Sequence, residues 1–595
     1  MPASARSDRN RLCERFLNTG ILVLLVFTPL AFGAVHVWAF SLMEMSIFFL
    51  VLIWAGHTLW GRYKKAPVPA SSLSCNVYAV LPFALFLCLA VFQLLPLPPG
   101  LLSTLSPATY QLYQTVLPGW PHQESFPDLG EVTVQRLAPA TATPSEPGTE
   151  ESSFPHPSSP WRPLSLYAPA SRLELLKLLA YSAFFALVAS KGSPLLIMFS
   201  LVTLGTGLAL LAFLQQATWN GKLLWFFVPQ HWSGPRPGNE GPLHGPFVNP
   251  DHFAGSLEMI LPLAVAAMLV CGRQVWQHQK IGRRRNFSLS AGITQTVATL
   301  SSPSAFFCGL CVLATIVILT ALVFTMSRGG FSAAFASLFF MAWLLWPRPQ
   351  SSVLSPQSSS VWAKLGRVAC ILGFLSVPLL YLAQPQIFSH FLRLPQQVET
   401  TRLAVYTATL ALWRDFPIWG VGLGNFQEVF SLYHPPAVGQ VFYNYTHNDY
   451  LQLLAETGIL GFGLSMWGIA GVLYRAARSW RWTIGAQRVW FAGVLAGIVA
   501  MLLHSVVDFN LHIPANALLF VTLLALSVRL GQDANVSEDH YGSRSRVSVA
   551  SGDKAIRKVK EEKRNALHRS GGVALGIGSV ASIGPILKNE PCPRS

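Results

Sequence analysis

An imidazole, four guanidinium groups and a few carboxylates and amides are the parts of this sequence best suited to chemistry. His447 stands in Tyr445-Thr-His-Asn-Asp-Tyr450, where Thr446 and Asp449 have the spacing of a helix-capping box, with Asp in place of the usual Glu or Gln. That pattern starts a short helix with His447 in its first turn and Gly458 at its end. A helix start exposes unpaired N–H groups and a positive dipole end, a natural place for an anion. An imidazole there can take a proton. Arg328, Arg402, Arg393 and Arg414 carry planar donors that can grip an anionic group through two parallel hydrogen bonds. Asn448, Asp449, Glu456 and Asn249 are further polar candidates. No metal site is expected. His231, His244 and His252 are irregularly spaced among Pro and Gly, and the pair Cys308-x-x-Cys311 lies in an apolar run without a second pair.

These groups need elements to position them. Thr400 can cap a helix that runs to Phe416 and stops at Pro417. Along it Arg402, Tyr406, Thr409 and Trp413 share one face, with Leu403, Thr407, Leu410 and Phe416 on the other. This reads as an amphipathic helix at a membrane surface. A Gly-rich turn follows, Trp419-Gly-Val-Gly-Leu-Gly-Asn425. It is not framed by a strand and a helix, so it does not read as a dinucleotide fingerprint.

The rest of the chain supplies a membrane. It is 52% hydrophobic and only 11% charged, and its apolar residues fall in blocks near the length that crosses a bilayer. Twelve spans are expected, near 17–39, 41–60, 76–97, 171–190, 194–217, 252–271, 304–326, 329–346, 367–384, 457–474, 489–507 and 511–528. Short basic loops stay inside. With the N-terminus inside, the inner loops hold 20 Lys and Arg and the longer outer ones 10. Both termini are then cytoplasmic and His447, Arg328 and Arg402 lie outside. The expected fold is an all-α integral membrane protein of about 12 transmembrane helices with a large outer loop containing short amphipathic helices. Its parts are 1–97 (helices 1–3), 98–170 (a Pro/Ser-rich outer loop), 171–384 (helices 4–9), 385–456 (the loop holding the chemistry), 457–531 (helices 10–12) and 532–595. The last is a basic cytoplasmic tail without expected structure, whose charge suits anionic headgroups. It lacks aromatic interleaving or a nucleic-acid-binding motif, so no nucleic-acid partner is expected.

The stretch Thr446-His-Asn-Asp-Tyr450 through Glu456-Thr-Gly458, preceded by Phe416-Pro-Ile-Trp-Gly-Val-Gly-Leu-Gly-Asn-Phe426, resembles the O-antigen ligase and O-antigen polymerase superfamily. Gly245-Pro-Phe-Val-Asn249, Ser327-Arg-Gly329 and Asp508-Phe-Asn510 support the resemblance, which covers roughly 170–530. It implies a glycosyltransferase of the bacterial inner membrane with its site facing the periplasm. Such enzymes pass a glycan from an undecaprenyl diphosphate-linked donor to an acceptor hydroxyl, on lipid A-core in a ligase or on a lipid-linked glycan in a polymerase. The products are lipopolysaccharide or other cell-surface polysaccharide. No cofactor is implied. The family pattern points to His447 for the acceptor hydroxyl and to Arg328 and Arg402 for the diphosphate. Plainer readings remain open: a helix-end anchor for either arginine, simple packing for His447, or a transporter or flippase of lipid-linked sugars. Against the last, the spans are nearly free of charge at their centres, and the polar residues gather in one outer loop.

Overall fold

Apolar runs punctuated by Pro and small polar residues set the helices. The computed structural model describes residues 3–63, 77–117, 119–121, 160–229, 241–285, 302–346, 396–436, 439 and 442–533. In chain order the helices are α1 (Ala3–Leu30), α2 (Val37–Tyr63), α3 (Val77–Leu94), α4 (Pro99–Leu105) and α5 (Pro107–Val116). There follow α6 (Ala168–Lys191), α7 (Pro194–Ala217), α8 (Pro250–Arg285), α9 (Pro303–Phe324) and α10 (Arg328–Leu345). The last are α11 (Gln396–Asp415), α12 (Phe426–Phe430), α13 (Asp449–Ser479), α14 (Gly485–His504) and α15 (Pro514–Asp533). Pro at the start of several of them presets φ, and its missing N–H is one a first turn leaves unbonded anyway. Among the described residues there is no strand, only the isolated bridges Leu97–Arg162 and Leu223–Phe227.

Among the described residues ten helices are long and apolar enough to cross a membrane: α1, α2, α6 to α10 and α13 to α15. The expected count of twelve is not reproduced among the described residues. The third expected span appears as α3, whose apolar stretch Leu81–Leu94 is too short for the same criterion. The ninth, at 367–384, lies outside the described residues, as do Arg393, His231, most of 98–170 and nearly all of the tail.

The core centres on α8, which packs against α9 and α14. Leu257, Ile260, Leu261 and Ala264 of α8 are buried together with Val494, Ile498 and Met501 of α14 and Leu523 of α15. Close approach depends on small residues, as is usual between membrane helices. A Cβ at Gly497 would stand 2.6 Å from the Met259 carbonyl oxygen.

A second apolar cluster joins α11 to the segment that follows it and to α13. Val405, Ala408 and Leu412 line one stripe of α11 and, with Phe416 just past its end, pack on Val421, Phe426, Val429, Phe430 and Ala455. The stripe corrects two sequence expectations. Of the face expected to carry apolar bulk, Leu403 is 63% exposed and Thr407 is exposed, and only Phe416 is buried, so the stripe that packs is largely a different one. The helix also begins at Gln396, with Thr400 inside it rather than capping it.

Candidate functional site

The start of α13 is built by three consecutive polar residues. Asn448, not Thr446, is the cap: its Oδ1 accepts from the Tyr450 and Leu451 N–H groups, both at 3.0 Å. Asn448 is extended and its short side chain reaches the first turn directly. Thr446 instead closes a local turn, its Oγ1 accepting from the Asn448 N–H at 3.1 Å and donating to the Asn448 carbonyl at 2.7 Å. His447 therefore lies just before the helix rather than in its first turn, with φ of +55°. A non-glycine residue in that region stores about 1–3 kcal/mol and persists only where its surroundings enforce it. The Tyr406 hydroxyl of α11 does so, donating to the His447 carbonyl at 2.8 Å.

The ring of His447 faces the segment between α14 and α15. Its Nδ1 is 3.4 Å from Oδ1 of Asp508, whose carboxylate is almost fully buried. Burial alone would raise the Asp508 pKa. The His447 hydrogen bond and the nearby His252, His504 and His447 outweigh it and hold the group well below the usual carboxylate range. An ionised Asp508 makes Nδ1 of His447 the donor and leaves Nε2 as the proton acceptor. Phe509 is a shared wall: His447 and His252 meet it edge-on, at 4.9 and 4.7 Å between ring centres, and Tyr445 stacks on it at 4.3 Å.

The same segment gathers the arginines. Arg402, one turn before Tyr406 on α11, donates from Nη1 to the Val507 carbonyl at 3.4 Å. Arg328 opens α10, whose cap is Ser327, its Oγ accepting from the Gly330 N–H at 3.1 Å. A Cβ placed at the adjacent Gly329 would come within 2.9 Å of the Val507 side chain. His447, Arg402 and the Arg328 turn thus converge on Val507–Asp508, although they are far apart in sequence.

The secondary candidates do other work. Glu456 folds the Gly-rich turn around itself: Oε2 accepts from the Gly424 N–H at 2.7 Å and Oε1 from Phe426 N–H and the Gln452 amide. Gln93 of α3 clamps the same turn, donating to the Trp419 and Glu456 carbonyls and accepting from the Leu423 N–H. Gly420, at φ +70°, lies so close to Glu456 that a Cβ would stand 2.3 Å from its carbonyl carbon. The turn is a fitted part. Asp449 accepts from the Leu511 N–H at 3.1 Å and meets His512 Nδ1 at 2.7 Å. Asn249 caps α8, its Oδ1 accepting from the Asp251 N–H at 2.9 Å. Arg414 is exposed in the last turn of α11, about 18 Å along the axis from Arg402 by helix rise.

Sequence reasoning passed over a buried polar layer beneath these groups. Glu258 of α8 is 0% exposed and its Oε2 is 3.0 Å from Nδ1 of His504, itself 1% exposed at the end of α14. His252 Nε2 is 3.9 Å from Asp508 Oδ2, which also accepts from Asn510 at 3.2 Å. Asn516 of α15 donates to the His252 carbonyl and to Asn510. The expectation of spans almost free of charge misses Glu258, and a carboxylate inside an apolar run was the available signal. Among the described residues no group of three His, Cys, Asp or Glu is placed to hold a metal ion.

An all-helical, multi-pass membrane bundle with one polar site at the ends of α10, α13 and α14 defines the class. Residues 313–466 match the family model described as O-antigen ligase, so the chain carries a domain of the O-antigen ligase and polymerase superfamily. No curated protein matches the chain. At family level the domain is that of a glycosyltransferase-like enzyme of polysaccharide biosynthesis, acting on lipid-linked glycans in a membrane.

Proposed function

We propose that this protein transfers a glycan from an undecaprenyl diphosphate-linked donor to an acceptor hydroxyl on the periplasmic side of the bacterial inner membrane. The observation that carries the reading is the convergence of His447, backed by Asp508, with Arg402 and the Arg328 turn on one segment. The acceptor oxygen attacks the anomeric carbon, and the bond from that carbon to the diphosphate oxygen breaks. The hydroxyl proton goes to Nε2 of His447, and Asp508 balances the imidazolium that forms. Arg328 and Arg402 take up the charge that grows on the departing diphosphate. The acceptor is lipid A-core or a second lipid-linked glycan, according to whether the protein acts as ligase or polymerase.

The test is glycan transfer by purified protein in nanodiscs containing the lipid-linked donor and an acceptor. His447→Ala is expected to bind donor but to lower turnover about 10²–10⁴-fold. Arg328→Ala and Arg402→Ala are expected to weaken donor binding, with only partial recovery in Arg→Lys, because an ammonium lacks the planar fork. Near-normal turnover in His447→Ala would remove that residue as the base.

A further inference from the structure

The pair Glu258–His504 is not accounted for by packing. It belongs to the buried polar layer, yet two of its four hydrogen-bonding atoms are unmet: Oε1 of Glu258 and Nε2 of His504 find no partner among the described residues. Leaving such atoms unpaired in a dry interior is costly, and buried ion pairs are often no better for stability than apolar side chains of the same size. A bound group that meets Nε2 of His504 would explain why the imidazole edge is left open.

Geometry indicates where that group comes from. Nδ1 of His504 is taken by Glu258, so the ring is fixed and its opposite edge points the other way. That edge lies against the first turn of α10: a Cβ at Gly329 would stand 2.8 Å from both Cδ2 and Nε2 of His504. Glu258 reaches the same turn, with Oε2 3.4 Å from a Cβ built at Gly330. The first turn of an 18-residue helix presents N–H groups, of which that of Gly330 is met by Ser327, and the positive dipole end. An anion is therefore the group that helix start, Arg328 and a donating imidazole edge would share. Gly329 is what keeps the approach open.

We propose that His504, braced by Glu258, is a further donor-binding residue, its Nε2–H completing with Arg328 and the α10 N-terminus a pocket for one phosphate of the lipid diphosphate. The inference rests on the donor reading above. Glu258 holds the proton on Nδ1 and balances the imidazolium charge, so the pair is neutral until the anion arrives. His504 also accepts the Asp508 N–H on its carbonyl at 3.1 Å. The phosphate end of the site and the His447–Asp508 end are thereby one hydrogen bond apart.

Undecaprenyl diphosphate itself is the probe, titrated onto the full-length protein in nanodiscs beside transfer assays and thermal melts. His504→Gln is expected to weaken diphosphate binding at least tenfold and to raise the donor KM in proportion, with kcat at saturating donor within a few-fold of the parent. Gly329→Ala, compatible with the helix, should weaken binding in the same way by closing the approach. The double variant Glu258→Met with His504→Leu separates binding from structure. It is expected to melt no lower than the parent yet to remain at least tenfold weaker for diphosphate. Parent-like affinity in the double variant, with Arg328→Ala still impaired, overturns the role of His504 and leaves the donor reading standing. Parent-like affinity in Arg328→Ala and Arg402→Ala as well overturns the donor reading itself. If the double variant does not fold, His504→Gln decides alone, and unchanged affinity there sinks the inference.

Discussion

His447 sits in a backbone conformation that its side chain disfavours, with a carboxylate behind its ring and a tyrosine holding its carbonyl. That combination gives Asp508 a distinct expected effect. Asp508→Asn should leave undecaprenyl diphosphate affinity unchanged and lower turnover about 10²-fold or more, since an amide neither fixes the useful tautomer nor balances an imidazolium; parallel binding and transfer assays check both halves. Equal losses in both would make Asp508 a folding residue instead. Histidine and arginine were legible from the sequence because their chemistry is carried by residue type. Asp508 was visible only as part of a motif, since its partner lies 61 positions away. Glu258 and His504 were not read because hydropathy averages over a span, and one carboxylate among apolar neighbours scarcely moves the average. Asn448 displaced Thr446 as cap for a local reason, the reach of an extended Asn into its own first turn.

At the level of elements, α13 is fastened to the loop before α15 by Asp449 and His512. Burial by itself would lower the His512 pKa, but the hydrogen bond and charge of Asp449, with Glu456 and Glu174 nearby, raise it above its ordinary value. A raised folded-state value means that the stabilisation is fully present below about pH 6.5, the unfolded value, and is lost as pH rises through the raised one. Melting temperature in nanodiscs should therefore fall as pH rises from about 6.5 through that raised value, and His512→Gln should flatten the fall. An unchanged slope in the variant would assign the effect elsewhere. The spans α6 to α10 were placed in sequence to within a few residues apart from the C-terminal extension of α8, because apolar length and flanking Pro mark them. The packed face of α11 was not, because its Val405, Ala408 and Leu412 stripe competes with several equally plausible ones until a partner surface is known.

For the whole molecule, the distribution of Lys and Arg sets an orientation that reporter fusions can read. Fusions after Lys65, Arg285 and Arg481 are expected to report the cytoplasm, and fusions near Gln397 and Val438 the periplasm; a cytoplasmic signal at Val438 would place His447 on the wrong side for the proposed reaction. The helical class and the multi-pass architecture were legible because backbone groups in a bilayer leave few alternatives. How the loop joins the bundle was not. Gly458, at φ +63°, interrupts α13, and the carbonyls of Pro417 and Ile418 accept from the Ile459 and Leu460 N–H groups at 2.8 and 3.4 Å. A Cβ at Gly458 would collide with the Ile418 carbonyl at 2.1 Å. The lower half of α13 thus borrows its first-turn acceptors from the end of the segment that carries Arg402. The loop from α11 onward and this span are consequently not separable cassettes. Exchanging residues 396–448 between relatives, with the junction at the apparent membrane boundary, would set the recipient span against carbonyls from a segment not fitted to it, whereas chimeras cut after Leu460 would carry both sides of the joint together.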